Sequence, residues 1–445
     1  MLGRVHFKEL FVTNMVSYAR VIPSLLLIAL IFGPQSAQAD DPHYKYMGTG
    51  SCSSSNCHGS VNKSTSSAIL QNEYTTWQKH DKHSQAYLTL LNQESRTIAG
   101  HLGINKPEEE PLCLRCHATY VPDKELRGEK YQIEDGVSCE SCHGAASAYL
   151  ETHSISGATY KDDLAKGMAD LVPLDKRANA CLSCHYGTDE KTVNHNLYGA
   201  GHPRLSFELD TFGVLQPKHW EVDDDYRKRK EDYLPIRAWL VGQAVHARAV
   251  LNAIDSPKRS KNGVFPELSL FDCYSCHHSL TEDQWKTHSN VGEPGELHLN
   301  LPSLVILREA LVPFSPKLAD SLKAGIADLH ANYKNDGGKR SIPGLKKLVG
   351  DDAMSVVASV PADPAKLQAL LKQLVEFGAR TPFLKYEVAE QLGMGMQAVL
   401  ATSPELAKTY KSGLDSIYST LKSAEAFSPE AFTKACKEMA GKMGV

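Results

Sequence analysis

The sequence predicts a mainly α protein in two unequal parts. The first part has little regular structure and is organised around a bound group; the second is a helical bundle. Two observations carry this reading. Five times a pair of cysteines ends directly against a histidine: Cys52, Cys57 and His58; Cys113, Cys116 and His117; Cys139, Cys142 and His143; Cys181, Cys184 and His185; Cys273, Cys276 and His277. From Pro302 onward no such motif occurs, and capping residues recur directly before prolines.

Cys-x-x-Cys-His is the attachment sequence of c-type haem. The two thiols add across the porphyrin vinyl groups, and the adjoining imidazole coordinates the iron from one side. Zinc half-sites, redox pairs and disulfide clusters share the cysteine spacing but need no histidine after the second cysteine. The motifs use ten of the eleven cysteines. The first is wider, with four intervening residues; multihaem cytochromes accept such a loop, and its alternative is a Ser-rich disulfide loop. The expected cofactors are five haem c groups with their iron. The fold class is therefore a multihaem cytochrome c with little regular structure around the haems, plus a C-terminal helical bundle. Such a region should not fold without its cofactor.

The chain begins with an export signal, residues 1–39. Arg20 precedes an apolar run from Val21 to Phe32, then the small-residue cleavage site Ser36-Ala37-Gln38-Ala39. The run is shorter than the ~20 residues of a membrane span, so no stable span is expected in the mature form. Net charge is −4, which implies neither nucleic acid nor an anionic membrane surface as partner. The mixed-sign run from Asp223 to Asp232 reads as a solvated loop or helix face.

Residues 40–301 form the expected pentahaem domain and hold all four tryptophans. Residues 302–445 form the expected haem-free helical domain, an antiparallel bundle or a flank packed on the haem region. Helix starts are predicted at Ser315-Pro316, Asp363-Pro364, Thr381-Pro382, Ser403-Pro404 and Ser428-Pro429. Leu367, Leu370, Leu371, Leu374 and Phe377 make one apolar helical face; Leu318, Leu322, Leu329 and Tyr333 make another. Met394, Met396 and Cys436 read as core side chains.

Each motif supplies one axial histidine: His58, His117, His143, His185 and His277. The sequence offers His83, His153, His202 and His246 as second ligands. His83 competes with His80. His202 sits among glycines and a proline, where backbone approaches a ring closely. His246 lies on an apolar helical face with Trp239, Gln243 and Val250, as a ligand or a hydrogen-bonded core residue. His219 is a weaker candidate, and His101, His195, His288 and His298 read as surface residues. A second histidine closes the iron; an open face would bind small molecules.

Residues 50 to about 210 resemble the tetrahaem cytochrome c-554 family and its multihaem relatives. The segment from Trp77 to His83-Ser84-Gln85-Ala86, the stretch GVSCESCHG at 136–144, and His153 carry the resemblance. It implies electron transfer through closely packed haem pairs, with His83 serving the third haem and His153 the first. It also implies an open face at the second haem, that of His117. The chain departs from the pattern in its widened first motif, its fifth motif and its helical C-terminal region.

The expected function is a periplasmic electron carrier between other redox proteins: cytochromes, quinol-linked enzymes or terminal reductases. One alternative is a reductase or oxidase of nitrite or hydroxylamine type at an open-face haem, although the chain has no Cys-x-x-Cys-Lys. Another is a subunit of an extracellular haem filament. Oligomeric state is left open by the sequence.

Overall fold

The computed structural model describes residues 43–67, 69–230, 232–273, 276–277, 298–382 and 384–444. The export signal lies outside them. From Ala39 onward the chain is one compact unit. It is 59% helix and 2% strand, so the mainly α prediction holds.

Three of the motifs sit at the C-terminal ends of helices: Pro111–His117, Cys139–His143 and Leu174–His185. The reason is periodicity. Positions i, i+3 and i+4 share one helical face, so one turn turns both sulfurs and the imidazole the same way. The wider first motif cannot use a helix. It closes instead as a turn, with His58 N donating to Cys52 O at 3.2 Å and Cys57 N to Ser54 O at 2.9 Å.

The main core is built on the helix Pro235–Asp255. Ile236, Trp239, Leu240 and Leu251 on it are fully buried. It packs on Leu174–His185 and on the helices Pro302–Leu311 and Tyr386–Thr402. Gly395 allows the last contact, because a Cβ there would lie 2.4 Å from the Trp239 ring. The C-terminal helices thus share one core with the helix carrying the fourth motif. Both predicted apolar faces point inward: Leu322, Leu329, Leu367, Leu370, Leu371 and Leu374 are buried.

Helices start at Pro316, Pro364, Pro404 and Pro429 as predicted. Asp363, Ser403 and Ser428 accept from the backbone three residues on; Ser315 makes no such bond. The start expected at Thr381-Pro382 is instead a break. The helix Pro364–Arg380 ends there, with Thr381 N on Phe377 O, and the next helix begins at Tyr386. A proline disfavours helical backbone in the residue before it, and this signal terminates a helix as readily as it precedes one.

Residues 43–150 are packed differently. Their own cluster consists of Leu90, Leu114 and Ala118 with a few partly buried neighbours. Among the described residues, every exposed large hydrophobic lies between Val61 and Leu268. Apolar side chains left uncovered there, and none after residue 268, fit a region whose core is completed by an apolar group.

Candidate haem centres

All eleven cysteines are free of disulfides, and Cys57, Cys142, Cys273 and Cys276 are exposed. The motifs adjoin one another in space. The Cys52 thiol lies within electrostatic reach of Cys139, and Cys116 within reach of Cys184. Its Cys116 neighbour lowers Cys184, helped by Lys191, whose Nζ lies 3.4 Å from the sulfur. Cys142 lies within electrostatic reach of both Cys181 and Cys184. The first site therefore neighbours the third, the third the fourth, and the fourth the second.

Four motif histidines each face an imidazole from elsewhere in the chain. Ring centroids are 6.2 Å apart for His58 and His153, 6.3 Å for His185 and His83, 6.5 Å for His117 and His202, and 6.2 Å for His277 and His195. These distances test the fit of a haem iron. Two imidazoles on opposite faces of one metal, each with a bond of ~2 Å, place their centroids ~6.3 Å apart. The planes are near parallel in the first pair and near perpendicular in the second and third, which rotation about a shared axis permits.

Hydrogen bonding fits as well. His58 Nδ1 lies 3.0 Å from Glu73 Oε2, and His83 Nδ1 lies 2.9 Å from Asp81 Oδ1. His117, His153 and His202 present Nδ1 to the carbonyls of Ala86, Tyr149 and Pro203 at 3.0, 3.2 and 2.8 Å. An Nδ1–H engaged this way leaves the Nε2 lone pair for a metal and makes it more basic. The Glu73 hydrogen bond raises His58, and the Asp81 hydrogen bond raises His83, against burial in each case. Burial would raise Asp81, but its bonds from His83 and Gln216 hold it below the ordinary carboxylate range.

The third motif differs. His143 is pushed down to about 4 by burial and then by its neighbour His219. His219 is lowered by burial despite a hydrogen bond to the Pro217 backbone.

Of the four non-motif histidines named from sequence, the structure brings three to a motif ring. His153 faces the first motif and His202 the second. His83 lies against His185 of the fourth motif, whose ring also meets Phe207 and Phe212 at 5.3 and 5.6 Å; the resemblance implies the third. His246 is elsewhere. Its ring lies 4.9 Å from that of Tyr186, and burial lowers it to about 4.

His219 is only the weaker candidate of the sequence reading, and His195, read there as a surface residue, instead lies 6.2 Å from the His277 ring. Their flanking residues carry no periodic or spacing signal; only the fold carries them to a motif. His298 and His330 form a further pair, with centroids 6.0 Å apart, and neither belongs to a motif. His288 lies outside the described residues.

Residues 51–144 match the family model described as cytochrome c554 and c-prime. No curated protein and no solved structure matches the chain.

Proposed function

We propose that this c554-like c-type cytochrome carries electrons between redox proteins through five covalently attached haems, each closed on both faces by histidine. The match of residues 51–144 to the cytochrome c554 and c-prime family model supports a haem-bearing electron-transfer role. The number of haems, their ligands and the partners are our reading.

One observation carries it: four motif imidazoles stand opposite four others at 6.2–6.5 Å. We assign His153 to the first site, His202 to the second, His219 to the third, His83 to the fourth and His195 to the fifth; His246 we leave as a core residue. Bound haem supplies a one-electron couple, whose potential two histidines set low. The chain's part is to hold sulfurs and imidazoles in place, fix the Nε2 donors through Glu73, Asp81 and backbone carbonyls, and exclude water. His202 opposite His117 supports a carrier over a reductase, because a reductase needs an open iron face. The export signal expected over residues 1–39 supports a periplasmic location. No helix among the described residues is long and apolar enough to cross a membrane.

The test is the spin state of the purified oxidised protein together with its denatured mass. Five haem increments and five low-spin irons are expected. A high-spin iron that binds nitrite or hydroxylamine and turns over would replace this reading with the reductase.

A further inference from the structure

The fifth motif has no counterpart in a tetrahaem pattern, so its position relative to the other four decides how far the array extends. The residues that face it and the second motif come from one short segment. Asn194 caps the helix His195–Gly199 by accepting from Leu197 N at 3.0 Å. His195, its first residue, faces His277 at 6.2 Å. Its backbone N donates to Glu267 Oε1 at 2.8 Å, and Glu267 caps the turn that leads into Cys273.

Seven residues after His195, His202 faces His117 at 6.5 Å. The turn between them is tied at several points. His202 N donates to Leu197 O at 3.1 Å. His101 Nδ1 bonds Ala200 O at 3.0 Å. Gly201 takes φ +111°, a conformation that side chains rarely adopt. The helix His195–Gly199 and the three residues on to His202 span under ~17 Å. The segment is thus too short to reach two sites that are not adjacent.

We infer that residues 194–203 form a shared clamp, supplying an axial imidazole to the second and to the fifth haem and holding those two sites as direct neighbours. The inference rests on the ligand assignment proposed above. It puts the fifth site at the second-site end of the array, beyond the order first, third, fourth, second that the thiol neighbours give. It also makes closure of the second iron depend on a segment anchored at the fifth motif.

The test uses full-length holoprotein carrying His195→Ala, His202→Ala or His153→Ala, examined by electron paramagnetic resonance with relaxation measurement. Each variant should convert one iron to high spin. The new high-spin iron in His195→Ala should shorten the relaxation of the signal lost in His202→Ala, and the reverse. The iron exposed in His153→Ala should leave both unchanged. High-spin conversion without that mutual shortening would overturn the shared clamp and leave the ligand assignment standing. No conversion in either variant would overturn both. If an alanine variant does not accumulate, His195→Met keeps an axial ligand. It should raise the fifth potential and, through the adjacent charge, shift the second; a shift confined to one haem would refute adjacency.

Discussion

Glu208 gives a stability prediction whose size follows from its surroundings. Its side chain is 2% exposed and accepts from Asp210 N at 2.6 Å and Thr211 N at 2.7 Å. Burial pushes its carboxyl from an ordinary 4.5 up to about 7; the Thr211 N–H opposes this and the neighbouring Asp210 adds to it. Asp210 is itself buried, with its charge met by the Tyr233 hydroxyl at 2.7 Å. The folded pKa lies above the unfolded one, so the folded chain binds more protons between them. The stabilisation is therefore complete below the unfolded pKa and is lost as pH rises to about 7. At 1.36 kcal/mol per pH unit, the loss between pH 5 and pH 7.5 is on the order of 2 kcal/mol. Glu208→Gln cannot titrate. It keeps one acceptor and turns an NH₂ toward the other N–H, at a cost of ~1–2 kcal/mol at every pH. Denaturant unfolding of both holoproteins at the two pH values isolates the effect, because all other titrations cancel in the difference. Wild type should be more stable at pH 5 and less stable at pH 7.5. Stability differences that agree within ~0.5 kcal/mol at the two pH values would refute the argument that burial keeps Glu208 protonated.

Other outcomes follow from single contacts. His153→Ala should turn one low-spin iron high-spin in the oxidised spectrum, with exogenous imidazole restoring it. Asp81→Asn removes the charge that the His83 Nδ1–H meets at 2.9 Å; a less basic Nε2 should raise the midpoint potential of one haem in a spectropotentiometric titration. Gly395→Ala would gain ~1 kcal/mol of helix propensity. It would also drive a methyl to 2.4 Å from the buried Trp239 ring, where overpacking costs ~1–3 kcal/mol. The net effect should be a lower thermal midpoint with an unchanged haem spectrum.

Much of the C-terminal fold is readable locally. Asp363, Ser403 and Ser428 cap helices where a capping side chain meets a proline, because the interaction spans only three residues. Thr381-Pro382 has the same letters and the opposite outcome. Whether a proline follows one helix or opens another depends on what packs around it. The second imidazoles show the same limit on a larger scale. The sequence offers His246 as a ligand from its apolar helical face and leaves His195 to the surface. In the fold His195 faces His277, while His246 lies against Tyr186.

By itself, then, the sequence determined where two cysteines and an adjoining histidine stand together, because they fall within one helical turn or one short loop. It likewise determined the helical, amphipathic character of the region after Pro302. Only the tertiary structure decided which distant imidazoles come within 6.2–6.5 Å of four motif histidines, His195 and His202 among them from one short segment. A contact between residues dozens of positions apart depends on the packing of everything between them, and no local pattern encodes it.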